Sequence, residues 1–267
     1  MKMQKNNILV SIIIVNFNNA KLLKDCLNSI FIQNYKNKQI IVVDDNSNDN
    51  SLNVLNKYKK KITILKNKKK KTNYGSYDQI NSYYRGFLKS KGKYVFFLDS
   101  DDYFKKNKIK ILVNYFEKNK KINVVFDLPI LKYIKKSIKK ELKQKKFILS
   151  SWPRFTPQSC ISVKRTFVKE LFYHLKIKKF ETIWFDFRIA SYCFLKEGKL
   201  NIIKKYLTFY RQHYGSASTK YKTFSQNWWH RRNQAHDFVS YLSKKMQIKD
   251  RFTMDKFLTK LIILLNE

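Results

Sequence analysis

The sequence predicts an α/β fold with a mostly parallel sheet flanked by helices, followed by an α-rich C-terminal region. Continuous apolar, β-branched runs alternate with stretches of helical periodicity through the first hundred residues, the pattern of strands covered on both faces. Several of these runs end in clusters of Asn, Asp and Ser. Hydrophobic residues make up 43% of 267, with 5 Gly and 3 Pro, a composition that supports an ordered core rather than a low-complexity chain.

The first strand is Val10 to Val15. Lys2 and Lys5 ahead of Ile8 to Val15 imitate a secretory signal, but the run leads into Asn16-Phe17-Asn18-Asn19 with no small-residue cleavage site. It therefore reads as a buried strand and turn. Lys21 to Phe31 carries Leu22, Leu23, Cys26, Leu27 and Ile30 at helical spacing. Gln39 to Val43 is a second buried strand, closed by Asp44-Asp45-Asn46-Ser47. Asp49 or Ser51 can cap a helix through about Tyr58. Ile62 to Leu65 is a third strand, and Lys66 to Lys71 a solvated basic loop. Asp78 to Ser90 is helical, with Gly92 as its terminator. Tyr94 to Leu98 is a fourth strand, ending at Asp99-Ser100-Asp101-Asp102.

Strands alternating with helices imply parallel pairing through right-handed crossovers. Ligands of such sheets bind beyond the carboxyl ends of the strands. Asn16 and Asn18, Asp44 and Asp45, and Asp99 to Asp102 all fall there.

The second half is less regular. Leu131, Ile134, Ile138 and Leu142 share one helical face, flanked by Lys135, Lys136, Lys139, Lys140, Lys143, Lys145 and Lys146. This spacing predicts a basic amphipathic helix over 132–146. Such a helix either docks peripherally on an anionic membrane or packs on the core with a solvated lysine face. Trp152 to Pro157 reads as a loop, the segment after Ile183 as a helix, Phe209 to Ser218 as a polar stretch, and Asn227 to Leu242 as a helix.

Lys and Arg total 57 against 19 Asp and Glu, a formal charge of +38. Only 8 of the 57 are Arg, leaving 49 Lys. Lysine is a hydrated point charge, whereas readers of phosphate and bases favour the arginine fork. The balance argues against nucleic acid as a partner and for a generic basic surface or an anionic membrane. Three cysteines, Cys26, Cys160 and Cys193, form no CxxC pair. That argues against a disulfide framework or zinc site and for a reducing, cytoplasmic setting. No run approaches the ~18 apolar residues of a membrane span.

Asp99, Asp101 and Asp102 place three carboxylates within four residues of a chain poor in acids. Adjacent carboxylates repel, and a hard divalent cation with oxygen ligands relieves the repulsion. A helix-capping role is the alternative, and Asp102 suits it. Asp44 and Asp45 can accept from a base N–H or a ribose hydroxyl, or close an Asx turn.

Val10-Ser-Ile-Ile-Ile-Val-Asn-Phe-Asn18, Ile41-Val-Val-Asp-Asp-Asn-Ser47 and Gly92-Lys-Tyr-Val-Phe-Phe-Leu-Asp-Ser-Asp-Asp102 resemble family 2 glycosyltransferases of the GT-A (Rossmann-like) fold, over residues 8 to 104. A looser likeness continues through Trp184-Phe-Asp-Phe-Arg188 and Tyr210-Arg-Gln-His213. The resemblance implies an inverting transfer from a nucleoside-diphosphate sugar, assisted by Mn²⁺ or Mg²⁺. It assigns Asp45 and Phe17 to the base, Asp99 to ribose or metal, Asp101 to metal, Arg211 to the diphosphate and His213 to the metal. Tyr83-Tyr84 replaces the family's Arg-Asn pair, with Arg85 beside it as a substitute. The family's general base is an acid of the second half; Asp186 is the candidate and Glu181 the alternative. Trp184, Phe185 and Phe187 around Asp186 would raise its pKa, and Arg188 would keep it ionised.

The implied layout is donor binding in 1–105, acceptor binding and catalysis in 106–220, and a helical extension in 221–267. Trp228, Trp229, Arg231 and Arg232 in the last part suit core packing or an acceptor-facing helix. The acceptor expected is a surface polysaccharide or lipid-linked glycan. Two other readings stay open: a sugar nucleotidyltransferase, which would favour a Gly-rich phosphate loop absent near the N-terminus, and a basic module binding membrane or nucleic acid without catalysis.

Overall fold

A computed structural model describes residues 7–68, 75–142, 152–213 and 221–266. Lys2 and Lys5, Lys69 to Lys71 of the basic loop, Lys143, Lys145 and Lys146, and Tyr214-Gly215-Ser216 lie outside the described residues.

The first four strands are β1 (Val10–Asn16), β2 (Lys38–Asp44), β3 (Thr63–Lys66) and β4 (Tyr94–Asp99). They pair in parallel in the order β3-β2-β1-β4. The crossovers are α1 (Ala20–Phe31), α2 (Ser51–Asn56) and α3 (Gly75–Lys89). Beyond β4 the sheet becomes mixed. A short β5 (Tyr103–Phe104) and α4 (Lys108–Lys118) precede β6 (Val124–Lys132), β7 (Ser137–Lys139) and β8 (Ile161–Lys164). Helices α5 (Arg165–Leu175) and α6 (Phe185–Glu197) follow, then β9 (Ile202–Arg211), α7 (Gln226–Lys245) and α8 (Met254–Asn266). The full order is β3-β2-β1-β4-β8-β6-β9-β5, with β7 on β6. The sheet thus runs without a break across the 105/106 boundary. Among the described residues no helix is long and apolar enough to cross a membrane.

Strand alternation sorts the apolar residues onto two faces. Ile13, Val15, Ile41, Val43, Val95 and Phe97 point to the side packed by α3, α5, α6 and α7. Ile12, Ile14, Val42, Phe96 and Leu98 point to the side of α1, α2 and α4. The three cysteines are buried free thiols, Cys193 in the first layer and Cys26 in the second, and burial pushes each thiol pKa up.

Two expectations are corrected. Gly92 follows helix α3 without capping it, since the helix already ends at Lys89. Gly92 is needed because a Cβ there would stand 2.3 Å from the Ser11 amide nitrogen. Its amide donates to Ser11 Oγ at 2.9 Å, so the chain entering β4 lies directly against β1.

The predicted amphipathic helix over 132–146 is instead a β-hairpin through Lys139, and 140–142 belong to no helix or strand. Leu131 pairs with Ile138 and Lys132 with Ser137 across the β6–β7 turn, and Leu131 also pairs with Tyr210 of β9. Extension of β6 satisfies this backbone in the sheet. The apolar residues also fail to gather on one surface, for Ile134 is 90% exposed at the turn. The membrane-docking expectation loses the helix it rested on.

Candidate active site at the carboxyl ends of the parallel strands

Register brings the polar strand ends together. Asn16 lies opposite Asp44, and Val15 opposite Asp99. The two acids after β2 then divide their work. Asp44 is buried and accepts from Asn16 Nδ2 at 2.8 Å, Ser47 Oγ at 2.7 Å and the Ser47 amide at 3.0 Å. This is the Asx-turn alternative, and Asn46 and Asn18 complete the adjoining turns with φ of 59° and 52°, backbone that Asn tolerates better than most residues. Asp45 accepts from Asn67 Nδ2 at 2.8 Å and Ser82 Oγ at 3.2 Å. Phe17 leaves the β1 end 44% exposed, an aromatic face at the rim of the same cleft.

The acidic cluster also splits by direction. Asp99 Oδ1 accepts from Tyr83 Oη at 2.7 Å and Gln79 Nε2 at 2.9 Å. Asp102 is buried, accepting from Ser159 Oγ at 2.6 Å and the Arg211 amide at 2.9 Å. Asp101 lies nearer solvent, with its Oδ2 3.0 Å from His213 Nε2. Burial first, then the Asp101 charge, pushes Asp99 up to about 8, against the pull of its two donors. Burial and the same neighbouring charges push Asp102 well up.

Beneath this cluster lies a buried polar network. Lys108 Nζ pairs with Asp127 at 2.7 Å, both fully buried. It also donates to the Ser159 carbonyl at 2.7 Å and to Thr208 Oγ1 at 2.6 Å. Ser159 in turn donates to Asp102, so a charge pair in the core steadies the acidic segment.

Aromatic packing sets Asp186 beside the cluster. Phe185 stacks on Phe172 at 5.1 Å and meets Phe97 of β4 edge-on at 5.5 Å, with Tyr83 at 6.0 Å. The N-terminus of α6 is thereby pinned next to the end of β4, and Asp186 lies in its first turn. Its Oδ1 accepts the Phe187 amide at 2.7 Å. Burial raises its pKa to about 6, while that amide and the Arg231 charge pull the other way.

The expected partner Arg188 is elsewhere: fully buried, it donates to the carbonyls of Ile183, Leu175, Ile177 and Phe180. Arg231 of α7 supplies the charge that sequence proximity suggested for Arg188. Glu181 is placed by its carbonyl, which accepts from Ser76 Oγ.

Arg211 caps Asp102 through its amide, while its guanidinium pairs with Asp25 at 2.8 Å and lies over the Tyr103 ring. Contact with a diphosphate would require it to leave Asp25. Arg85 donates to the Lys66 carbonyl and Asn67 Oδ1, behind Asp45. The three-residue set Asp99, Asp101 and His213 is not assembled, for among the described residues no three His, Cys, Asp or Glu side chains converge. Asp101 with His213 remains as a two-donor pair. Two donors are fewer than Mg²⁺ or Mn²⁺ takes, so this pair would hold such an ion only together with oxygen ligands from a bound substrate or water.

Sequence reading missed Gln79 and Ser82 and named Tyr83 only as a replacement for the family's pair; the three line one face of α3 at i, i+3 and i+4 and all reach the acids. Asn67 follows β3 and obeys the strand-end rule applied to the other strands.

The profile of "Glycosyl transferase family 2" matches residues 11–184. The chain is 30% identical over 226 residues to the Escherichia coli UDP-Glc:alpha-D-GlcNAc-diphosphoundecaprenol beta-1,3-glucosyltransferase WfaP, covering 79% of this chain and 80% of that protein. It is 38% identical over 114 residues to the Staphylococcus aureus poly(ribitol-phosphate) beta-N-acetylglucosaminyltransferase TarP, covering 41% of this chain and 33% of that protein. An uncharacterized glycosyltransferase of Nostoc is 29% identical over 215 residues, 76% of this chain and 65% of that one. The crystal structure of S. aureus TarS 1-349 in complex with UDP superposes with a TM-score of 0.62 at 16% identity, covering 86% of this chain and 65% of that chain. The chain therefore spans less than two thirds of the length of several relatives.

Proposed function

The chain belongs to glycosyl transferase family 2, and from that premise we propose that it transfers a sugar from a nucleoside-diphosphate sugar to an acceptor hydroxyl with inversion. The observation that carries the proposal is the gathering of three differently held groups at the carboxyl end of the parallel strands: Asp45 with Asn67, Asp101 with His213, and Asp186, whose charge reaches Asp99.

Asp45 and Asn67 present an acceptor and donor pair to a nucleobase edge, with Phe17 as its stacking surface. Asp99, fixed by Tyr83 and Gln79, faces the ribose. Asp101 and His213 would hold the divalent ion, whose chemistry is to offset charge on the departing diphosphate. Arg211 can join that charge by exchanging Asp25 for phosphate. Asp186 accepts the proton of the attacking hydroxyl. A base with a pKa near 6 is ionised at neutral pH yet far more basic than an ordinary Asp.

Donor recognition would lie in residues 1–105, acceptor recognition and the base in 106–220, with 221–267 as a helical extension. WfaP and TarP are named for a diphosphoundecaprenol-linked and a poly(ribitol-phosphate) acceptor, and TarS was crystallised with UDP and UDP-GlcNAc. These names support a UDP-sugar donor and a glycan or lipid-linked acceptor.

The test is a donor-hydrolysis screen with UDP, GDP and dTDP sugars in Mn²⁺, reading released nucleotide. One nucleotide class should be turned over well above the rest. No release and no nucleotide binding from any class would end the proposal.

A further inference from the structure

Beside Asp186, α7 and the segment at Trp152 enclose a cavity of about 270 Å³. Its wall combines aromatic rings (Trp152, Phe155, Tyr221 and Trp228) with two guanidiniums, Arg231 and Arg232. The two arginines differ. Arg232 is neutralised, bonded to Asp255 at 2.8 Å through Nε and held between Trp152 and Trp228, at 5.2 and 4.9 Å. Arg231 rests over Tyr221 at 4.6 Å and Trp184 at 6.0 Å. Among the described residues its guanidinium has no hydrogen bond and no ion pair. Asp186 is close enough to feel its charge but not close enough to pair with it.

Five N–H donors and a positive charge in a partly desolvated aromatic wall are costly to leave without an acceptor. Sugar hydroxyls could accept the hydrogen bonds but would not balance the charge. A phosphate does both, and its geometry matches the guanidinium fork. Arg232 fills the space between the two indoles, and the parts of Trp228, Trp152 and Phe155 that line the cavity provide the apolar surface against which a sugar ring packs. We propose that this cavity is an acceptor subsite for a phosphorylated glycan, with its sugar on the tryptophan wall and its phosphate on Arg231. The proposal rests on the glycosyltransferase reading for the word acceptor, but the binding of a phosphorylated sugar can be measured without turnover.

All four tryptophans of the chain are Trp152, Trp184, Trp228 and Trp229. Two line the cavity, Trp184 lies under Arg231, and Trp229 meets Trp228 edge-on at 4.6 Å. Intrinsic fluorescence therefore reports this site almost alone. The full chain is titrated with an octyl N-acetylglucosaminyl diphosphate, a soluble N-acetylglucosamine phosphodiester of an alditol, and neutral octyl N-acetylglucosaminide. The first two represent a lipid-linked and a polymeric source of the same chemistry.

At least one phosphorylated probe should bind roughly 10- to 100-fold more tightly than the neutral one, the value of a charge-assisted contact. R231Q should erase that ratio while leaving the affinity for the neutral probe. R231K, with charge but no fork, should restore it in part. Circular dichroism checks that each variant folds. Equal affinity for phosphorylated and neutral probes in the unaltered protein would overturn the proposal. So would a loss of UDP affinity in R231Q matching its loss of phosphorylated probe, which would assign Arg231 to the donor. If nucleotide sugars are never turned over but the probe ratio holds, the cavity stands and the proposed reaction falls.

Discussion

Asp186 and Arg188 sit two residues apart on α6, and their side chains leave the helix toward different surroundings. Asp186 faces the cleft and Arg188 the interior carbonyls. Under the proposed reaction Asp186 must be ionised to act. A pKa raised to about 6 by burial then gives kcat/KM an acid limb, rising about tenfold per pH unit below that value and flat above it. R231Q removes a charge that lowers this pKa, so the limb should move to higher pH. D186N should lower kcat by about 10²–10⁴-fold with little change in donor affinity. A variant that kept near-normal turnover on an acceptor would transfer the role to Glu181. Asp101 is the companion test: D101N should abolish turnover and weaken nucleotide binding in Mn²⁺, and full activity in excess EDTA would remove the metal from the proposal. The acids themselves were legible because carboxylates at strand ends are rare and chemically loaded. Their partners were not. Tyr83 and Asn67 reach them across 16 and 22 positions of sequence and the Arg231 charge acts across 45, and only Tyr83 with Gln79 and Ser82 left a trace, as one face of a helix.

The first four strands and their crossovers follow the sequence pattern closely, because a parallel strand buried on both faces is a continuous apolar run that little else imitates. The hairpin at β6 and β7 did not, because residues 131, 134 and 138 fit a helical period while the sheet edge offered by β9 fits a strand. Short lysine-rich segments give periodicity too few apolar residues to decide, and tertiary pairing decides instead. Lys135 and Lys136, exposed at that hairpin turn, should therefore tolerate Gln with stability changed by less than about 0.5 kcal/mol, checked by chemical denaturation. Gly92 carries the opposite expectation. Its absent Cβ is replaced by the β1 backbone at 2.3 Å, and backbone cannot swing aside as a side chain would. G92A should cost roughly 1–3 kcal/mol, the range of overpacking. A neutral result would mean that the approach to β4 relaxes freely.

At the scale of the molecule, the acidic segment also has a mechanical role. β4 and β5 are separated in sequence only by Ser100-Asp101-Asp102, yet in the sheet β8, β6 and β9 lie between them. Four strand spacings laid flat amount to about 19 Å. Four residues of chain from Asp99 to Tyr103 reach about 14 Å at most. The sheet must curl until its far edge comes back to β4, and Ser100 to Asp102 form the clasp that fastens the hoop. The buried bonds of Asp102 to Ser159 and to the Arg211 amide are the teeth of that clasp, tying β4, the turn before β8 and the end of β9. His213 reaches Asp101 because the hoop is shut. A circularly permuted chain opened between Ser100 and Asp101, with its original ends joined by a flexible linker, should lose nucleotide binding and much of its cooperative unfolding together. In most enzymes of this architecture one thinks of a scaffold holding a site, but here the site is also the fastening of the scaffold.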